Sequence, residues 1–201
     1  MSRVLQPGAL VIASYNSGKI IEINNLVREY GLEAQSAADF GLPSPPETET
    51  TFVGNARIKA HAAAKGASLP ALADDSGLEI VALGGAPGVY TADWAGEPRD
   101  FSRAMDRVEA ELKAVGADDM SARFVCCLCV AWPDGHDEVF LGTVEGEISF
   151  PQRGNRGFGY DPIFIASGET QTFGEIDPER KLAMSHRADA FQQLKEACLK
   201  R

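Results

Sequence analysis

Several short stretches of this sequence gather residue types that do chemistry. The most pointed is Asp74-Asp75-Ser76-Gly77. Two consecutive carboxylates repel each other, and a divalent cation relieves the repulsion. Mg2+ takes one or two protein carboxylates and completes its shell with substrate phosphates and water. A carboxylate beside such an ion can also activate a water molecule. Glu47 and Glu49, on a stretch rich in Pro, Glu and Thr, are further candidate ligands. The competing reading is bland. Asp-Asp-Ser-Gly is also common turn chemistry, and acidic runs are usually solvated.

A second stretch, Ser14-Tyr15-Asn16-Ser17-Gly18-Lys19, follows an apolar run and precedes residues at helical spacing. A helix start offers free N–H groups and the positive end of its dipole to an anion, and Lys19 adds a full charge. The spacing is not that of a P-loop. An ordinary capped helix with a surface lysine would look the same. The third stretch is Arg153-Gly154-Asn155-Arg156-Gly157-Phe158-Gly159-Tyr160-Asp161-Pro162. Its glycines allow close backbone approach, and Phe158 and Tyr160 have flat faces for a base. Asp161 could accept from a ring N–H. An irregular loop with buried aromatics is the alternative. The fourth, Lys181-Leu182-Ala183-Met184-Ser185-His186-Arg187, places cationic and imidazole donors at a helix start. These suit a triphosphate or a base carbonyl, or simply a solvated cap.

The elements that must position these groups can be read from periodicity. Leu10 to Ser14 is a buried strand, and Ile20, Ile23, Val27 and Tyr30 mark a helix stopped at Gly31. Leu42 to Thr51 is loop, and a helix runs from Thr51 to about Lys65. Ala71 to Ala73 predicts a short strand halted at Asp74-Asp75-Ser76-Gly77, with extended structure resuming over Leu78 to Leu83. Phe101, Met105, Val108, Leu112 and Val115 predict a third helix closed by Gly116. Phe124 to Trp132 and Glu138 to Ile148 flank a hairpin turn at Pro133-Asp134-Gly135-His136. A last helix spans about Arg187 to Leu199, with Ser185 as its cap. Alternating strands and helices predict an α/β or mixed α+β fold, a single domain over residues 1–201 around one long twisted mixed sheet.

Composition narrows the function classes. With 201 residues, 44% hydrophobic and 24% charged, the chain is an ordinary folded protein. Nineteen basic against twenty-nine acidic residues give a net charge of −10, which repels nucleic acid and anionic lipid. A polyanion would have to bind at a compact basic site or through a metal. No apolar run reaches the roughly 18 residues of a membrane span, and Met1 to Gln6 does not read as a secretory leader. Cys126, Cys127, Cys129 and Cys198 read as buried thiols of a reducing, cytoplasmic setting rather than zinc ligands.

Taken together, the blocks resemble the inosine/xanthosine triphosphate pyrophosphatase family, which clears deaminated purines from the nucleotide pool. The matching residues are Ala13 to Lys19 with Glu22, and Glu47 ahead of Thr51-Phe52, Asn55-Ala56 and Lys59-Ala60. They continue with Ala73 to Glu79, Leu83 to Tyr90, Gly157 to Pro162, and Ser185-His186-Arg187. They stand in the family's order from about residue 11 to 188. Asp93 stands where the family usually has Arg, and Leu182 where it often has Asn.

The resemblance implies two lobes flanking a nucleotide cleft, a homodimer, and Mg2+-dependent cleavage of a purine nucleoside triphosphate to monophosphate and pyrophosphate. Asp75 would be general base and metal ligand, with Glu47 and Asp74 completing the metal set. Asn16, Lys19, Lys59, Lys181 and the turn N–H groups of Tyr15, Ser17 and Gly18 would hold the triphosphate. Ser14 and Ser76 would add hydroxyl contacts. Phe158 would stack on the base, within the block that includes Gly159, Tyr160 and Asp161. His186 and Arg187 would donate to the C6 oxygen that distinguishes hypoxanthine and xanthine from adenine. The alternatives are a related pyrophosphatase for other modified nucleotides and a nucleotide sensor without catalysis.

Overall fold

The computed structural model describes residues 2–14 and 17–199, apart from the side chains at 17–19 and 22. Six strands form one mixed sheet in the order β2-β1-β3-β4-β5-β6. β1 (Gly8–Ile12) leads into α1 (Ser17–Val27), a 3-10 turn (Arg28–Tyr30) and β2 (Leu32–Ser36). β1 and β2 are parallel, with Leu10 opposite Ala34. Gly31 ends the helical segment at φ 72°, in the left-handed region that glycine enters without strain. β2 has one buried residue in five, which is why no apolar alternation announces this edge strand.

α2 (Phe52–Ala67) begins where the Thr51 hydroxyl accepts from the Gly54 N–H at 3.1 Å. Its buried face is mostly small, with Ala56, Ala60, Ala63 and Ala64. The chain then enters β3 (Ala71–Ile80), parallel to β1 with Ile12 opposite Leu72. Here the structure corrects the sequence reading. β3 does not stop at Asp74-Asp75-Ser76-Gly77 but runs through it. Ala71 to Ala73 on one side and Leu78 and Ile80 on the other are buried, and β3 lies between β1 and β4. The ladder and the flanking apolar residues override local turn propensity. Extended structure ends at Ile80, and Val81–Leu83 is a 3-10 turn.

α3 (Phe101–Ala114) is capped by Asp100, whose carboxylate accepts from the Arg103 N–H at 3.2 Å. β4 (Ser121–Ala131) and β5 (Asp137–Ile148) form the expected hairpin, closed where the Trp132 N–H donates to the His136 carbonyl at 2.9 Å. β6 (Phe164–Ala166) is antiparallel to β5, with Ile148 opposite Phe164. α4 (Pro178–Met184) and α5 (His186–Cys198) close the chain. β6 and α4 were too short to stand out in the sequence.

Two compact units divide the residues: 1–75, 126–142 and 189–201 in the first, 76–125 and 143–188 in the second. Each has its own core. The first packs Leu10, Ile12, Ile23, Leu72, Leu128 and Phe191, and the second packs Leu78, Ile80, Val108, Phe124, Phe164 and Phe173. All four cysteines are buried and none is in a disulfide, in line with the buried-thiol expectation. Burial, with neighbouring carboxylates adding to it, pushes the Cys127, Cys129 and Cys198 thiols up to about 12. Among the described residues no helix is long and apolar enough to cross a membrane.

Candidate active site

Successive side chains of a strand point to opposite faces. Asp74 and Asp75 are adjacent on β3 and meet different neighbours accordingly. Asp75, 6% exposed, accepts from the Lys59 ammonium of α2 at 2.6 Å. The same ammonium lies 3.2 Å from Glu47 Oε1. Lys59 thus gathers one carboxylate from the strand and one from the loop. Burial alone would pull its ammonium down; Asp75, Glu47 and Asp74 outweigh that and hold it above the ordinary lysine value.

The loop that carries Glu47 is fastened to α2. Buried Asn55 accepts through its side-chain oxygen from the Glu49 N–H at 3.0 Å. A Cβ at Gly54 would come within 2.5 Å of Glu49 Cβ, so this glycine lets the loop lie against the helix. Asp74, 2% exposed, instead accepts from the Cys126 thiol of β4 at 3.3 Å. Among the described residues no group of three or more His, Cys, Asp and Glu side chains is arranged to hold a metal. Glu47 and Asp75 converge on a single cation, and Asp74 turns to Cys126. Two hard oxygen donors on one cationic point suit Mg2+, which is rarely caged by protein alone.

The second unit carries the remaining groups. Asp161, 3% exposed, accepts from the Lys181 ammonium at 2.6 Å and from the Phe158 N–H at 2.7 Å. Gly157 sits at φ 73°, and a side chain there would overlap Asp161 Oδ2. Glycine at 157 is what lets the loop wrap its own carboxylate. The Lys181 ammonium also lies 4.7 Å from the Phe158 ring centre, within cation–π range. Asp161, expected to accept from a base, is engaged by its own loop and by Lys181. Tyr160 is buried in the core, its hydroxyl donating to the Thr91 carbonyl at 3.0 Å and its ring edge-on to Phe101. Both its face and its hydroxyl serve packing. Phe158 is half-buried, as is Gly159.

Ser185 caps α5 as expected, its hydroxyl accepting from the Ala188 N–H at 3.1 Å. His186 and Arg187 open that helix and are buried rather than solvated, at 6% and 1% exposure. The His186 ring stacks on Phe124 at 5.1 Å, and an Arg187 guanidinium N–H donates to the Ser76 hydroxyl at 3.4 Å. Phe124 had no signal beyond strand hydrophobicity. Asp93 is exposed, so its reversed charge faces solvent. Leu182 is half-buried, and its carbonyl accepts from the Ser185 hydroxyl.

Ser14 is buried just beyond the end of β1. Tyr15 and Asn16 lie outside the described residues, as do the side chains of Ser17 and Lys19. Gly18 and Lys19 fall in the first turn of α1.

The sequence pattern of the Ham1 family matches residues 10–197. A dITP/XTP pyrophosphatase from Zymomonas mobilis is 54% identical over 199 residues, covering 98% of this chain and 95% of that protein. Another from Rhodospirillum centenum is 56% identical over 191 residues, covering 94% of each. Among solved structures, a HAM1 protein from Coxiella burnetii superposes with a TM-score of 0.88 at 41% identity, covering 94% of this chain and 96% of that one. A nucleoside-triphosphatase / dITP/XTP pyrophosphatase from Mycobacterium abscessus gives 0.75 at 37% identity, covering 92% and 98%.

Proposed function

The chain belongs to the Ham1 family, and we propose that it is a nucleoside-triphosphate pyrophosphatase acting on dITP, ITP and XTP. The observation that carries the reading is the paired approach of Glu47 and Asp75 to Lys59, a hard-oxygen site of the kind a metal–triphosphate requires. In this reading Asp75 accepts a proton from the attacking water as that water's oxygen bonds to the α-phosphorus. The bond from the α-phosphorus to the bridging oxygen breaks, and pyrophosphate leaves with its electron pair. Glu47 and Asp75 would hold Mg2+, which supplies charge neutralisation on the phosphate oxygens. Lys19, Lys59 and Lys181 would meet the triphosphate, with Ser14, Ser76 and the backbone of residues 15–18. Most of the rate would come from positioning and electrostatics.

Base choice would rest on the second unit. Arg187 and His186 are buried donors, and a donor site left facing the adenine amine would hold unpaired polar groups. Phe158, half-buried with Lys181 over one face of its ring, would stack on the base with the other. The proposal includes a homodimer, as the family resemblance implies. It also includes a reducing, cytoplasmic setting, supported by the burial of all four cysteines as thiols.

A panel of triphosphates with Mg2+ tests the activity. dITP, ITP and XTP should yield monophosphate and pyrophosphate far faster than ATP or GTP. Orthophosphate release, or equal rates on all purines, would sink the reading. Asp75→Asn should lower kcat by roughly 10²–10⁴-fold. Wild-type turnover in that variant would remove Asp75 from the role of base.

A further inference from the structure

Cys126 is one of three cysteines that β4 buries, and burial alone gives it no role beyond filling space. Its neighbours set it apart. Its Sγ lies 3.3 Å from Asp74 Oδ2, and both residues are buried, at 0% and 2% exposure. A thiol is a weak donor, but a carboxylate inside a protein gains from every donor it is offered. We propose that Cys126 is a positioning residue for hydrolysis, fixing β3 at Asp74 so that the next carboxylate, Asp75, is held at its working angle.

Geometry carries the argument. Asp74 and Asp75 share a peptide bond and lie on opposite faces of β3. The Cys126 contact restrains one face from β4, and the Lys59 contact, 2.6 Å from Asp75, restrains the other from α2. With both in place, rotation of this strand segment about its axis is opposed from both sides. Cys127, the next residue of β4, faces away from Cys126 and takes no such contact with Asp74 in the described hydrogen bonds. Among the described hydrogen bonds, the contact with Asp74 is made by Cys126. Second-layer partners of this kind typically change activity by roughly 10–100-fold.

The inference rests on the pyrophosphatase reading, and the test separates the two. Cys126→Ala removes the donor, and Cys126→Ser restores one. With dITP as substrate, Cys126→Ala should lower kcat roughly tenfold with KM unchanged, while Cys126→Ser returns kcat toward wild type. In Asp74→Ala the same cysteine substitution should have no further effect. A second readout needs no substrate. The infrared S–H stretch that Cys126→Ser removes should lie below the frequency of a free thiol, and should rise in Asp74→Ala. An unshifted band, wild-type kcat in Cys126→Ala, or equal loss in the Ser and Ala variants would overturn the role. Absence of dITP turnover by the wild-type protein would overturn the pyrophosphatase reading, and this role with it.

Discussion

Ionic groups in this protein are placed where burial makes each pairing consequential. Lys181 and Asp161 show this, with side chains 9% and 4% exposed and a contact of 2.6 Å. A buried pair contributes little over a well-packed apolar pair, but removing one member strands the other in a poor solvent. Lys181→Met should therefore destabilise the protein by about 3–5 kcal/mol in urea unfolding. Asp161→Asn can still accept from the Phe158 N–H, so the double variant should be milder than the sum of the singles. Additive losses would mean that the two side chains do not act as a pair. The same logic divides charge from chemistry at Lys59. Its ammonium contacts Asp75 and Glu47, which the residue type alone did not reveal. The reactive residue types were legible in the sequence because they are rare together. Their partners were not, since Lys59 and Asp75 are sixteen positions apart and Cys126 and Asp74 fifty-two.

At the scale of elements, the strong periodicities predicted α1, α2, α3, α5 and the β4–β5 hairpin. The strand failures have one cause. β2, β6 and the continuity of β3 depend on neighbours supplied by distant sequence, and short strands carry little pattern of their own. Gly146 illustrates how such a neighbour is accommodated. It lies on β5 opposite Ala166 of β6, where a Cβ would overlap the Ile165 carbonyl and come 3.0 Å from Ala166 Cα. Gly146→Ala should force the two strands apart and destabilise by about 1–3 kcal/mol, as overpacking does. An unchanged thermal midpoint would show that β6 moves aside freely.

The whole molecule has two cores but an interlaced chain. The boundaries between the units fall inside β3, β4, β5 and α5, so neither unit is a continuous stretch of sequence. We expect one cooperative calorimetric transition, as for a single domain over residues 1–201; two resolved transitions would contradict it. Alkaline pH gives a second global test. Cys127, Cys129 and Cys198 hold their protons to about 12 in the fold, against about 8.5 for an unfolded thiol. Between those values the unfolded chain binds fewer protons than the folded one, so stability falls as pH rises. Each thiol contributes at most about 1.4 kcal/mol per pH unit. The thiol contribution should be constant below about pH 8.5 and shrink above it, read from urea midpoints between about pH 7 and 10. A flat profile to pH 10 would show that the thiols titrate normally.

The sequence by itself determined the reactive inventory, the main helices and the strand–turn–helix order. Those follow from local pattern and from rare residue combinations. Its acidic balance of −10 argues against a long polyanion as partner but leaves room for a compact triphosphate. Tertiary structure decided that Asp74-Asp75-Ser76-Gly77 is strand rather than turn. It also decided that Asp75 and Glu47 share Lys59 while Asp74 answers to Cys126. The reason is the pleat. A strand sends neighbouring side chains to opposite faces, so two residues joined by one peptide bond acquire different partners, and those partners are chosen by packing across the fold.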